Sequence, residues 1–324
     1  MEYLFTERAH LVCLNMCFAI AARLGKTFDE KRIEESITKL AEAHPFLRAQ
    51  LGYEKETNSY FYDVKEQSQV EVIFAGKLCG GDGDDSEATS AYDDISTPVI
   101  IEQFEKLTAR DWNLFCEGFL KLAVWKAGDK TLLLFVFHHL LADGRGALGL
   151  VQEFADFYVD GIEPKSAPEH LITKADLPEN SKLSFISRTL VNYANCQWKK
   201  EKQQLSYDKY HSFADKFLQG DFVEHSLEVV SSDKLTELHD QCKAHKVSIN
   251  DYLLAKMFAE EKADSIVMAC DLRNQLACYK QGALGNYATA FSVQFKQSKS
   301  AAPAVPGHIF SLAEKVHTQI QTKT

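Results

Sequence analysis

Residues Thr131-Leu-Leu-Leu-Phe-Val-Phe137 form an unbroken apolar run with no turn-forming residue inside it. A strand with one face in water alternates apolar and polar side chains, so a run without alternation describes a strand covered on both faces. The run stops at His138-His139, and Asp143-Gly144 come four residues after the second histidine. A titratable pair is thereby delivered to the edge of a dry core. Histidine is the side chain whose ordinary pKa, about 6.5, suits proton transfer near neutrality.

Besides a general base, other readings of this stretch are open. Two adjacent histidines can be structural groups satisfied by hydrogen bonds at a strand end. A metal site built from His138, His139 and Asp143 is disfavoured, because adjacent strand residues point to opposite faces and no third ligand stands at the usual spacing; no metal is expected. Gly144-Arg-Gly-Ala-Leu-Gly149 matches the letters of a dinucleotide-binding fingerprint. In that fold the glycines follow the strand at once and a second parallel strand follows the helix. Here six residues intervene and the helix runs into a polar linker, so these glycines read as a tight loop and close helix packing.

With 324 residues the chain exceeds what one hydrophobic core usually fills, so two lobes are expected. Its 36 basic and 46 acidic side chains leave a net charge of −10, which argues against nucleic acid and anionic membranes as partners. Residues 11–24 are apolar but contain Asn15 and Arg23 and are too short for a membrane span, so 11–23 read as a strand. The eight cysteines form no CxxC and lie mostly in apolar segments, as in a reduced, cytoplasmic protein.

The first lobe reads as follows. Residues 27–43 form a helix with Ile33, Ile37 and Leu40 on one face, ended by His44-Pro45. Strands are expected at 60–64 and 70–74, then a solvated acidic loop at 80–97, then a hairpin of 119–125 and 131–137 around Gly128. Helix 147–159 turns Leu148, Val151, Ala155 and Tyr158 to one face and Leu150, Phe154 and Phe157 to the adjoining one. A polar crossover at 161–180 leads to a helix at 183–205, whose Lys199, Lys200 and Lys202 form a solvated face or a phosphate or carrier contact. The second lobe opens with a strand at 222–230. Two helices follow, one capped by Ser231 or Ser232 and one opened by Ser248-x-x-Asp251. Buried strands at 265–272 and 286–295 and a helix at 308–321 complete the chain.

His138-His139-x-x-x-Asp143-Gly144 resembles the HHxxxDG signature of the CoA-dependent acyltransferase superfamily, which includes chloramphenicol acetyltransferase, alcohol acyltransferases and the condensation domains of nonribosomal peptide synthetases. His44-Pro-Phe-Leu-Arg48, the strand end Asp271-Leu-Arg273 and the turn Gly285-Asn286 are similar to further segments of that family. The resemblance implies an α/β fold of two chloramphenicol-acetyltransferase-like lobes with mixed sheets flanked by helices. Residues 1–160 would be the first lobe, 161–205 the crossover and 206–324 an incomplete second lobe, since family members continue further. It implies His139 as general base, His138 as the neighbour that shapes the loop, Asp143-Gly144 as the structural turn, and Arg273 as the partner of Asp143. Asn286 is a substrate-channel candidate, as a donor to the oxyanion. His44 carries ancestry rather than catalysis.

The activity implied is transfer of an acyl group from a thioester to an alcohol or amine without an acyl-enzyme. No permanently bound cofactor is expected; acyl-CoA or a phosphopantetheine thioester is the co-substrate. The acidic chain favours free acyl-CoA over an acidic carrier, although an acyl or peptidyl carrier protein is the macromolecular partner that the resemblance offers. The alternative is a shortened module that binds an acyl or peptidyl partner without transferring anything.

Overall fold

The computed structural model describes residues 2–12, 16–77, 98–109, 112–178, 184–201, 212, 230–261, 263–295 and 306–323. The expected acidic loop at 80–97 and most of the expected strand at 222–230 lie outside them. The described residues of Met1–His225 with Asn274–Tyr287 form one compact unit, and those of Ser226–Arg273 with Ala288–Thr324 form another. Residues 161–178 and 184–201 thus belong to the first unit, and the chain returns to it at 274–287.

The first unit is built on a mixed four-stranded sheet in the order β2 (Cys17–Leu24), β7 (Lys130–His138), β6 (Leu120–Ala127), β5 (Glu71–Lys77). β7 runs antiparallel to both neighbours, with Cys17 opposite His138 and Leu120 opposite Phe137, while β5 and β6 are parallel. Every residue of β7 from Thr131 to His138 is buried, as the unbroken apolar run requires. β6 and β7 are joined through Gly128-Asp129, and Gly128 takes the left-handed backbone (φ +61°) that suits glycine in such a turn. A second sheet of β1 (Glu2–Tyr3), β4 (Ser59–Val64) and β3 (Ala49–Glu54) lies in the same unit.

Helix α2 (Glu30–Ala43) buries Ile33, Ile37 and Leu40 as their spacing predicts, and Asp29 caps it by accepting from Arg32 N. Helices α3 (Pro98–Ala109), α4 (Gly144–Asp160) and α5 (Phe185–Lys200) belong to the same unit. α4 packs on β7 through Phe154, whose ring meets Phe135 edge-on at 5.2 Å, and it ends at Gly161 in the left-handed region (φ +73°). Its buried arc is Ala147, Leu150, Val151, Phe154, Phe157 and Tyr158. Leu148, expected on the inner face, is 60% exposed, because that arc centres on positions 150, 154 and 158 and leaves 148 beyond its edge.

The stretch expected as one strand from 11 to 23 is two elements: α1 (Arg8–Val12) and then β2 from Cys17. A continuous apolar run carries no period that separates one helical turn from a strand. The 161–178 segment is polar but not free. Ala167, Leu171 and Ile172 are buried, and Glu169 reaches His44 and Phe46. The six described cysteines are all free thiols; Cys242 is buried, whereas Cys116 and Cys196 are exposed, so a core placement holds for only some of them.

The second unit contains α6 (Ser232–Ala244), α7 (Ile249–Glu261), β8 (Ser265–Asp271), β9 (Ala288–Gln294) and α8 (Pro306–Lys323) around Cys242, Leu254, Phe258, Val293, Phe310 and Val316. Ser231 caps α6 by accepting from Lys234 N. Ser248 and Asp251 form the expected reciprocal cap: Asp251 N donates to Ser248 Oγ at 3.1 Å, and Ser248 N donates to Asp251 Oδ2 at 2.8 Å. β8 and β9 were expected as buried strands. They form a two-stranded antiparallel ribbon with an exposed face, on which Val267 is 67% exposed. Their apolar composition permits burial on both faces, but only one is covered by the described residues. No described helix is long and apolar enough to cross a membrane.

A buried ion cluster holds the first unit together where α2 ends. His44 Nδ1 meets Glu169 Oε1 at 2.8 Å and its Nε2 meets Glu153 Oε2 at 2.9 Å, joining α2, α4 and the 161–178 segment. Burial alone would lower the pKa of this imidazole, but the hydrogen bonds and charges of Glu153 and Glu169 outweigh it and push it up to about 9. Burial pushes Glu169 upward against the pull of the His44 charge, so the imidazolium is shared between two carboxylates. The unfolded imidazole has a pKa of about 6.5, so the stabilisation is fully present below that pH and is lost as pH rises through about 9. Unfolding measured across this window is expected to show a loss on the order of 2–3 kcal/mol. His44→Gln is expected to flatten the profile.

Candidate active site

β7 delivers its two terminal histidines to different surroundings because successive strand side chains alternate. His138 N donates to Phe119 O at 2.9 Å, keeping the residue in register with the end of β6. Its ring accepts from Leu140 N through Nδ1 at 3.2 Å and lies edge-on to Trp112, with 5.7 Å between centroids. With Nδ1 accepting, the proton of the neutral ring is on Nε2. His138 therefore folds the loop back on itself.

The His139 backbone N–H donates to Met16 O at 2.6 Å, beside the start of β2. Its ring is part-buried rather than sealed in the core. Nδ1 lies 3.1 Å from Asn286 Oδ1. The direction of that bond follows from the amide's other contacts: Asn286 Nδ2 donates to His139 O at 2.8 Å and to Leu140 O at 3.1 Å. An amide nitrogen facing two carbonyls fixes which end of the side chain is the oxygen. Oδ1 can only accept, so His139 Nδ1 carries the proton and Nε2 carries the lone pair. The amide nitrogen of Asn286, a substrate-channel candidate from the sequence, thus faces the carbonyls of His139 and Leu140.

Asp143 is the N-cap of α4: Oδ1 accepts from Arg145 N at 3.1 Å and from Gly146 N at 2.9 Å. Oδ2 accepts from Tyr287 N at 2.9 Å, and Asp143 N donates to Gly285 O at 3.2 Å. Gly144 opens the helix. A Cβ built there, or at Gly149, meets nothing within 4 Å, so close helix packing is not what places these two glycines. Arg273 belongs to the second unit, where its guanidinium and its backbone N–H both reach Asp271 Oδ1, at 3.1 and 3.0 Å. Its pairing with Asp143 stays an implication of the resemblance.

Two residues at this site escaped the sequence reading. Tyr62, fully buried, donates from its hydroxyl to Leu140 O at 2.5 Å and so holds the loop from the β4 side. His10, on α1, lies flat against His139 with ring centroids 4.3 Å apart and planes 7° apart, while Phe18 meets the same ring at 5.2 Å and 64°. Burial, with the neighbouring His139 adding to it, pushes His10 down to about 4, so it is uncharged near neutrality. The only sequence signal for His10 was a polar pair, Glu7 and His10, at helical spacing just ahead of the apolar stretch. Among the described residues, no group of three or more His, Cys, Asp or Glu side chains could hold a metal.

No curated protein sequence matches this chain. Among solved structures it is similar to the tallysomycin biosynthesis protein TlmII, with a TM-score of 0.59 and 13% identity, covering 100% of this chain and 72% of that one. It is similar also to polyketide synthase associated protein 5 from Mycobacterium tuberculosis, with a TM-score of 0.58 and 15% identity, covering 99% and 71%. A third likeness is to a structure of condensation domain-mediated chain release from the enacyloxin polyketide synthase, with a TM-score of 0.53 and 16% identity, covering 94% and 56%. The chain thus spans between 56% and 72% of the length of these three, and identities this low show the fold alone. A condensation-domain family profile matches residues 15–259, well over half of the sequence, and the chain therefore belongs to the condensation-domain family.

Proposed function

We propose that this chain transfers an acyl group from a thioester to a hydroxyl or amine acceptor, with His139 as general base. The observation that carries this reading is the tautomer of His139. Asn286 holds the proton on Nδ1, so the lone pair on Nε2 is the one available to an incoming nucleophile. In the proposed step Nε2 takes the proton of the acceptor as its oxygen or nitrogen bonds to the thioester carbonyl. The tetrahedral intermediate then collapses, the C–S bond breaks, and the imidazolium returns the proton to the leaving thiolate. General-base assistance of this kind contributes on the order of 10² to 10⁴ in rate.

The donor is an acyl-CoA or a carrier-bound phosphopantetheine thioester. Both present the same carbonyl to the base, and membership of the condensation-domain family supports the carrier-bound form. His138, occupied in shaping the loop, and Asp143, occupied in capping α4 and holding Tyr287, serve the geometry of the site. Arg273 completes the reading as the proposed partner of Asp143.

Incubating the chain with acyl-CoAs, or with an acyl-loaded carrier protein, and a set of alcohols and amines should release free thiol only when an acceptor is present. His139→Ala is expected to lower that release by about 10²-fold or more while the chain stays folded, with a lower unfolding midpoint from the lost contacts to Asn286, His10 and Phe18. A folded His139→Ala chain with full activity removes the assignment, and release from no donor–acceptor pair removes the transfer reading. Asp143→Ala should act mainly on stability. It removes a helix cap and leaves the buried Tyr287 N–H unpaired, a combined loss of about 2–4 kcal/mol measurable by urea unfolding.

A further inference from the structure

Asn286 restrains the His139 ring at one atom, Nδ1. Nδ1 lies off the bond joining the ring to Cβ, so turning the ring bends the hydrogen bond to Asn286 gradually, and modest tilts of the plane, which redirect the Nε2 lone pair, are left open by it. The described contact that limits them is face to face: the His10 ring lies parallel to His139 within 7°, at 4.3 Å between centroids. Phe18, on the neighbouring strand β2, adds an edge at 5.2 Å. Rotation of His139 out of its plane would drive its edge into the flat face of His10.

We propose that His10 is the positioning residue of His139, a plate that fixes the plane of the imidazole so that Nε2 points along one line. The catalytic consequence rests on His139 being the base; the restraint itself does not. His10 is suited to the place because it does not compete for charge. When His139 takes a proton, a second imidazolium stacked on it would be repelled, and burial already disfavours a charge on His10. Among the described residues its buried Nδ1 has no hydrogen-bond partner, so ring contact rather than hydrogen bonding through that atom places the ring.

The inference separates two substitutions of similar size. His10→Phe keeps a flat ring and removes the unpaired nitrogen, whereas His10→Leu keeps apolar bulk and removes the plate. The full-length chain labelled with ¹⁵N-histidine reports the ring nitrogens of His139, identified by their disappearance in His139→Gln. One Nδ1–H tautomer is expected in the wild type and in His10→Phe, and nitrogen shifts averaged toward a mixture of tautomers in His10→Leu. In the thiol-release assay, His10→Leu should lower kcat about ten-fold with KM within about two-fold, and His10→Phe should recover most of the loss.

A folded His10→Leu chain whose His139 nitrogens match the wild type overturns the proposal, as does a His10→Phe chain in which the single tautomer is lost. If the leucine chain does not fold, His10→Phe decides alone: retention of the tautomer supports the plate and its loss overturns it. Absence of transfer with every donor and acceptor counts against the general-base reading, and the nitrogen shifts still decide the plate.

Discussion

Five hydrogen bonds tie residues 139–143, at the end of the central strand, to residues 285–287, which are more than 140 positions away in the chain. Each end supplies what the other lacks. The loop after β7 leaves two carbonyls, at 139 and 140, with no strand partner, and Asn286 donates to both. The 285–287 turn leaves a buried N–H at Tyr287, and Asp143 accepts it. Buried polar groups of this kind are costly when unpaired, so the two segments are mutually dependent. The tautomer of His139 follows from this arrangement, since an amide with both donors occupied can offer the imidazole only its oxygen. The site is therefore a by-product of satisfying the backbone.

What the sequence made legible was local. The unbroken run in β7 declared burial on both faces, and the alternation of strand side chains explains why His138 and His139 meet different neighbours, Trp112 on one side and His10, Phe18 and Asn286 on the other. The spacing of Ile33, Ile37 and Leu40 oriented α2, and Ser248 with Asp251 marked the start of α7. The failures share a cause. Periodicity describes the faces of one element and does not say which neighbour covers them. Hence β8 and β9, apolar enough for a core, expose a face, and Leu148 lies just outside the arc that α4 buries. Glu169 lies in a polar stretch that reads as a linker, yet it closes over His44, 125 residues earlier. His10 was hidden because the five-residue helix that carries it, Arg8–Val12, is too short to show a period and runs into the apolar segment read as one strand.

The histidines of the first unit show how environment divides one chemistry. His44, between two carboxylates, is pushed up to about 9 and acts as a fixed cation that joins three segments. His10, half-buried without a carboxylate among its described partners, is pushed down to about 4 and acts as a flat neutral surface. An acidic chain of net charge −10 had carboxylates to spare, but the group that orients His139 is an amide.

That choice of partner bears on the proposed chemistry. A carboxylate at Nδ1 would orient the ring and also hold the imidazolium once it formed, as in triads where an acid backs the base. An amide orients without that charge. Under the proposed reaction the proton taken from the acceptor must go on to the leaving thiolate, and a neutral partner leaves the imidazolium readier to release it. Orientation then has to come from geometry, because no ionic attraction draws the ring into place. A hydrogen bond at Nδ1 and a parallel ring against one face are the two restraints such a site requires, and Asn286 and His10 supply them from opposite ends of the first unit's sequence.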